Sequence, residues 1–183
     1  TSVFGGQIGL NGMVSTKEKT PKFNMDLGLN KVDIAQTFTQ LDMLKKIAPI
    51  AGAVSGKLNS TIKLSGNLNA NEMTPDLKTI SGDLLGQLLS TTVNSSNSTL
   101  LSALDSNIKF IDLKKLNLND LKAAVSFKDG KVTVKPFDIK YQDIKATIGG
   151  THGFDQAMNY NIKFDVPAKY LGTEANALIA KLS

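Results

Sequence analysis

An alternation of apolar and polar residues between positions 121 and 166 constrains the fold of this chain more than any other feature. Within successive runs nearly every second residue is apolar, and lysine, threonine, asparagine or aspartate fills most positions between. Successive side chains of a β-strand point to opposite faces of its sheet, so this period predicts several strands with one apolar and one hydrated face. Asp129-Gly130 separates two runs and favours a type I′ hairpin, because both residues tolerate a positive φ. The phase slips by one residue at Pro136, which predicts a bulge or a break there.

The first part of the chain has the same pattern. Alternation predicts strands over residues 3–14 and 23–30, joined by a polar loop, and a long strand over residues 58–68. Ser60 and Gly66 interrupt the inward side of this long strand. Small residues at such positions indicate a bulge or a close approach of another part of the backbone.

Two following stretches are less regular. Residues 71–90 fit either a helix or a strand, and we favour the strand because Gly82 and Gly86 would each weaken a helix by about 1 kcal/mol. Residues 90–99 are almost all serine, threonine or asparagine, which predicts a polar loop or the outer part of an edge strand.

Three segments change to a helical period. Asp33 with Gln36 three residues later resembles a capping box, and Pro49 would end the helix that follows it. Ser98 can cap a second, short helix, and residues 173–182 form a third amphipathic pattern. These helices either cover the whole apolar face and complete an ordinary core, or leave part of that face open as a groove. The predicted fold is therefore α+β, with a curved, mostly antiparallel sheet whose one apolar face is partly covered by a few short amphipathic helices.

Composition excludes several classes of function. The 183 residues suit a single domain over residues 1–183, and because the chain opens on Thr1 without a leader we expect a fragment of a longer protein. All 21 basic residues besides the histidine are lysines spread over outward strand positions, so we expect no nucleic-acid partner. The absence of cysteine excludes disulfides and thiolate chemistry, and no apolar run reaches the roughly 18 residues of a membrane span.

No constellation of residues indicates a reaction. His152 is the only histidine, and its surroundings, GGTHGFD, resemble a turn with Asp155 as the one nearby partner, so we expect an exposed side chain. One histidine and scattered acids give no metal-ligand spacing, and the glycine pairs lack a phosphate-binding signature. We therefore expect no catalytic residue, no metal, no cofactor and no enzymatic activity.

The apolar face itself is the remaining candidate site. Apolar patches larger than a few hundred Å² are rarely exposed on soluble monomers, so something must cover this face. An open part of it could shield the acyl chains of a phospholipid or another lipid, since burial is worth about 0.8 kcal/mol per CH₂ group. The residues that we expect to face lipid share the inward positions of the predicted strands, and they are Ile62, Leu64, Val125, Phe127, Val132, Val134, Ile148, Tyr160, Ile162 and Phe164.

Two long stretches resemble the AsmA family of bacterial envelope proteins. In the first, a predicted helix is followed by APIAG at residues 48–52, SGNL at 65–68 within a long strand, and MTPDLKTISG at 73–82. The second comprises SFKDGKVTVKPFDIKY at residues 126–141 and IGGTHGFDQAMNYNIKFDVPAKYLG at 148–172. The resemblance covers nearly the whole chain.

This resemblance implies a periplasmic domain, anchored in the inner membrane by a segment outside this sequence, that takes part in outer-membrane biogenesis. The larger members of the family imply a hydrophobic β-groove that conducts phospholipids between membranes, with envelope proteins as further partners and no catalytic residues. The alternative prediction is a structural or protein-interaction module with a closed core, whose sheet edges pair with a strand of a partner.

Overall fold

The strands of this protein form one antiparallel sheet in which each strand pairs with its neighbours in sequence. The computed structural model describes residues 2–40, 52–94, 96, 101–102, 105–106, 111–155 and 157–172. Within these ranges nine strands lie in chain order, and the first and last do not pair with each other, so the sheet is open. Their bounds are Ser2–Val3 (β1), Gly6–Ser15 (β2), Lys22–Asp33 (β3), Val54–Asn67 (β4), Ser81–Val93 (β5), Lys122–Lys128 (β6), Lys131–Tyr141 (β7), Ile144–Gly153 (β8) and Met158–Asp165 (β9).

Tight turns with positive φ connect several of these strands. Asp129 (φ 50°) and Gly130 (φ 72°) join β6 to β7, which confirms the predicted hairpin. Phe4 (φ 54°) and Gly5 (φ 66°) form a similar turn between β1 and β2. The single strand predicted over residues 3–14 is therefore wrong at its start. Phenylalanine seldom adopts a positive φ, so the residue types at this turn do not mark it as one.

Three shifts of register interrupt the ladders. The shift between Val134 and Phe137, in the pairing of β7 with β8, confirms the bulge predicted at Pro136. The others lie between Leu29 and Val32 in β3, and between Ser55 and Lys57 of β4, where the extra residue belongs to β5. An extra residue at a bulge restores the phase of the side chains beyond it. Apolar residues on both sides of each shift therefore point to the same face of the sheet.

The less regular middle of the chain contains a strand. β5 confirms the strand that we favoured within residues 71–90, and a short 3₁₀ helix, Leu77–Thr79, precedes it. Residues 90–93, the start of the stretch expected in a loop or on an edge strand, instead continue β5, an inner strand that pairs with β4 up to Val93. A second 3₁₀ helix, Leu113–Lys115, lies in the connection that leads to β6.

The α-helix that follows β3, α1, spans Ile34–Gln40 and packs against β3 and β4. The Asp33 carboxylate accepts a hydrogen bond from the backbone N–H of Gln36 at 2.9 Å, which confirms the predicted cap. The predicted end of this helix at Pro49 and the predicted helix over residues 173–182 lie outside the described residues, as does most of the helix predicted after Ser98. No helix within the described ranges is long and apolar enough to span a membrane.

Two glycines of β5 offer a test of how closely the strands approach. A Cβ atom on Gly82 (φ 150°) would overlap the carbonyl oxygen of Lys63 in β4, whereas one on Gly86 would make ordinary contacts of 3.5 Å or more. We expect Gly82→Ala to lower the free energy of unfolding by about 1–3 kcal/mol, through backbone strain and overlap. The matched variant Gly86→Ala should change it by less than about 0.5 kcal/mol. Urea denaturation followed by circular dichroism measures both values, and equal losses would contradict this account.

Candidate functional site

The apolar face of the sheet can be followed from strand to strand through its register. Cross-strand partners in an antiparallel ladder point to the same face, so a chain of partners marks one row of side chains. The first row consists of Leu10, Leu27, Ile62, Leu84, Val125, Val134, Gly150 and Tyr160. The second row consists of Gly12, Met25, Leu64, Gly82, Phe127, Val132, His152 and Met158. Ile148 pairs with Ile162, and Phe164 follows Ile162 by two residues, so all ten predicted residues share this face.

Burial divides the ten predicted residues into two groups. Four of them belong to a buried cluster that also contains Leu29, Val32 and Ile80, and these are Ile62, Leu64, Phe127 and Val132. The other six are partly exposed, and these are Val125, Val134, Ile148, Tyr160, Ile162 and Phe164. The first group is covered by the protein itself, so direct contact with a ligand is left to the second group.

The cover of the buried cluster comes from connections at one end of the sheet. Leu77 in the first 3₁₀ helix and Phe154 in the turn between β8 and β9 pack against it. The backbone N–H of Phe154 donates to the carbonyl oxygen of Gly130 at 3.2 Å, which ties two neighbouring turns together. Since these connections lie beside the second row, that row is the one with the deepest burial.

A second cluster closes the opposite end of the sheet. Ile111 and Leu113, from the connection between β5 and β6, are buried with Ile144 of β8. Tyr141 and Phe164 pack against them, so this cluster covers the last three strands near their other end. The same face carries a set of partly exposed apolar side chains, here called the mid-sheet band. Leu27, Leu84 and Val125 of this band pack against the first cluster, and its remaining members lie on β7 to β9 between the two clusters, namely Val134, Ile148, Tyr160 and Ile162.

The most exposed apolar side chains of this face lie on its outer strands. Leu10 and Val14 of β2 are 65% and 54% exposed, and Met158 of β9 is 49% exposed. None of these three is among the ten predicted site residues. Their alternation was visible, but strand order is a tertiary property, so nothing in the sequence marked β2 and β9 as edges.

His152 does not lie in an exposed turn, contrary to the sequence prediction. It lies within β8 on the apolar face and is only 4% exposed. Its Nδ1 is 2.9 Å from the hydroxyl oxygen of Tyr160, and the two rings stack with centroids 6.1 Å apart. A buried imidazole needs such a partner because an unsatisfied polar group in the core is costly.

The glycines that made this segment resemble a turn serve a close approach between strands instead. A Cβ atom on Gly149 would lie 3.0 Å from the Pro136 ring. Gly150 (φ 157°) faces Tyr160, whose backbone and ring would meet a Cβ there. Burial raises the pKa of the Tyr160 phenol above its ordinary value, so this group keeps its proton at neutral pH and can hydrogen-bond to the imidazole.

A group of three polar side chains, Asp143, Lys169 and Tyr170, here called the polar lock, holds the segment after β9 against the turn between β7 and β8. The Tyr170 hydroxyl donates to Asp143 at 2.6 Å, and the Lys169 ammonium forms an ion pair with the same carboxylate. The hydrogen bond from Lys169, followed by that from Tyr170, holds the pKa of the Asp143 carboxyl below its ordinary value. Tyr170 also packs against the second cluster, so this lock fixes one border of the apolar face.

The described part of the chain contains no group of three or more histidine, cysteine, aspartate or glutamate side chains that could hold a metal ion. Comparisons of the chain with protein-family models, with curated proteins and with solved structures found no match. The AsmA resemblance therefore stays a prediction from the quoted motifs.

The hydrogen bond between His152 and Tyr160 predicts a cost for removing one hydroxyl. Tyr160→Phe deprives the buried imidazole of this partner, and we expect it to lower the free energy of unfolding by about 1–3 kcal/mol. Tyr141→Phe is the matched control, because the Tyr141 hydroxyl makes no hydrogen bond to a described residue. Denaturation of both variants at pH 7 gives the comparison. A Tyr160→Phe variant as stable as the control would show that this hydrogen bond contributes nothing.

The polar lock predicts a pH dependence. Because the pKa of Asp143 is lowered in the folded protein, its contribution to stability is present above its ordinary value of 3.8 and is lost as the pH falls through the lowered pKa. We expect Lys169→Met to return the pKa of Asp143 towards 3.8. The pKa of Asp138, lowered by Thr147 and Lys145, should stay lowered in this variant. Carboxyl-carbon NMR titration resolves the two groups, and a shift of both together would contradict the assignment.

Proposed function

We propose that this chain is an AsmA-like, non-enzymatic domain of the bacterial envelope that shields phospholipid acyl chains on its apolar face. In this role it would serve phospholipid transport between the two membranes and thereby outer-membrane biogenesis. The observation that supports the proposal most directly is the mid-sheet band, a set of partly exposed apolar side chains on β3 and on β5 to β9.

The dimensions of this face suit an acyl chain. Seven inter-strand spacings separate β2 from β9, which gives about 34 Å at roughly 4.8 Å per spacing. One leaflet contributes about half of the ~30 Å hydrocarbon core of a bilayer. An acyl chain that lies across the strands is therefore shorter than the face, and its whole length can be shielded.

The free energy of burying an acyl chain on this face is large enough for a lipid carrier. Burial of an acyl chain is worth about 0.8 kcal/mol per CH₂ group, so ten methylenes contribute about 8 kcal/mol before the cost of immobilisation. The Tyr160 hydroxyl is the one polar group of the mid-sheet band and is engaged by His152, so the band offers little that would fix an acyl chain in one position, which favours its movement. Register shifts in β3, β5 and β7 would bend the strands and give the face the curvature of a shallow groove.

The hydrated face of the sheet suits an aqueous compartment such as the periplasm. Lys63, Lys131 and Lys163 are exposed on outward positions of three different strands. An inner-membrane anchor outside this sequence, and other envelope proteins as partners, complete the proposal and rest on the AsmA resemblance alone. Lysines distributed in this way hydrate the outer face without forming a continuous basic stripe.

Lipid extraction and native mass spectrometry of the gently purified protein test this function. We expect bound phospholipid in the wild-type protein. Ile162→Lys places a charge in the mid-sheet band and should weaken binding of a fluorescent phospholipid by at least roughly tenfold, since a charged group must then be desolvated beside the acyl chain.

Leu85→Lys is the matched control for this experiment. Leu85 is 62% exposed and lies on the outward face of β5, next in sequence to Leu84 of the mid-sheet band. Its replacement should leave lipid binding unchanged, and circular dichroism checks that both variants keep the sheet. A wild-type protein that is purified without lipid and binds no phospholipid would refute the proposed function.

A further inference from the structure

The segment that follows β9 covers one end of the apolar face without joining the sheet as a strand. This segment, residues 166–172, is here called the strap. It contains the short 3₁₀ helix Ala168–Tyr170. Val166 and Tyr170 pack against the second cluster, in which Ile144 of β8 is buried. The strap therefore covers part of the sheet from outside the ladder of strands.

The strap has the features of a segment that opens at a low cost in free energy. All its residues belong to the described part of the chain, and none of them is buried. The backbone N–H of Tyr170 donates to Pro167 at 3.0 Å and that of Leu171 donates to Ala168 at 2.9 Å, so these bonds lie within the strap. Few buried contacts and exposed hydrogen bonds are typical of elements that open locally while the rest of a protein stays folded.

The polar lock attaches the strap to the turn between β7 and β8. The Asp143 carboxylate accepts the Tyr170 hydroxyl at 2.6 Å and pairs with the Lys169 ammonium. Oε1 of Gln142 lies 2.8 Å from the same hydroxyl, which can donate its single proton to one acceptor at a time. The Lys169 and Asp143 side chains are 63% and 43% exposed, and an ion pair with this exposure is weak and screened by salt. The attachment is thus polar and reversible, whereas the surface beneath the strap is apolar.

We propose that the strap is a movable cover over this end of the apolar face, and that the polar lock holds its closed form. When the strap opens, Ile144 and Phe164 lose part of their cover and extend the partly exposed surface of Ile148 and Ile162 along β8 and β9. A lipid acyl chain then reaches the mid-sheet band from the end of the sheet. The entry of lipid rests on the proposed function, whereas the opening of the strap does not.

The sheet offers a matched control for the polar lock. Asp138 of β7 likewise binds one ammonium and one hydroxyl, those of Lys145 at 2.9 Å and Thr147 at 2.6 Å. All three residues lie in the ladder of β7 with β8, and none belongs to the strap. Lys169→Met/Tyr170→Phe and Lys145→Met/Thr147→Val therefore remove the same kinds of contact and the same charge, but only the first pair should release the strap.

Thiol labelling measures the opening, because the native chain contains no cysteine. Ile144 is 1% exposed beside the strap, and Val132 is 0% exposed in the first cluster. We expect Lys169→Met/Tyr170→Phe to raise the labelling rate of Ile144→Cys by at least roughly fivefold and to leave that of Val132→Cys unchanged. The control pair should change neither rate by more than about twofold.

Hydrogen exchange repeats the measurement without a substitution in the core. A 3₁₀ turn that leaves the sheet is too short to keep its hydrogen bonds, so its amides exchange in the open form. In the cysteine-free chain the amide of Leu171 should exchange at least roughly fivefold faster in Lys169→Met/Tyr170→Phe than in the control pair.

Three results would overturn this inference. A rise of the same size at Ile144→Cys and Val132→Cys would show a general loss of stability, and no rise together with unchanged exchange at Leu171 would show a fixed cover. Uptake of a fluorescent phospholipid should be at least roughly threefold faster without the polar lock, and an unchanged rate would overturn the role in entry. Uptake in no variant, the wild type included, would instead refute the lipid function, and labelling would still decide whether the strap opens.

Discussion

The phase of the side chains is the constraint on which the rest of this structure depends. A sheet has one apolar face only if every strand places its apolar residues on the same side as its neighbours do. A slip of one residue in the pairing would move all apolar side chains of that strand to the hydrated face. The three register shifts occur where the sequence pattern itself changes phase, as at Pro136. Beyond each shift the apolar side chains point to the same face as those before it, so the bulges preserve the apolar face.

A single layer of strands cannot bury its own face, and the distribution of burial follows from what the connections supply. Turns and a 3₁₀ helix cover the row near Phe127 and Val132, while the connection before β6 covers the opposite end near Ile144. The middle of the face receives less cover from either side. The same geometry therefore leaves the apolar side chains of β7 to β9 that lie between the two clusters, Val134, Ile148, Tyr160 and Ile162, partly exposed.

Much of this fold could be predicted because its signals are local. The Asp129-Gly130 turn, the bulge at Pro136 and the Asp33 cap each depend on a few adjacent residues, and all three are confirmed. The shared face of the ten site residues followed from alternation in the same way. Burial of Ile62 and Leu64 could not be predicted, because it depends on which connection returns over them.

The failed predictions have a common physical cause. Glycines near His152 are typical of a turn, whereas here they allow two strands and a proline ring to approach closely in the middle of a sheet. The hairpin at Phe4 was missed because its first residue is not one that favours a positive φ. In both cases tertiary contacts, which a single sequence does not reveal, decide the conformation.

The order of the strands has a consequence for how such a protein can change over time. Each strand pairs only with the one before it and the one after it, so no connection has to cross the sheet when a hairpin is gained or lost. Insertion of two strands in phase would lengthen the structure by about 10 Å without rethreading any other part. The span of this protein is thus set by the number of its hairpins, as the length of a solenoid is set by its repeats.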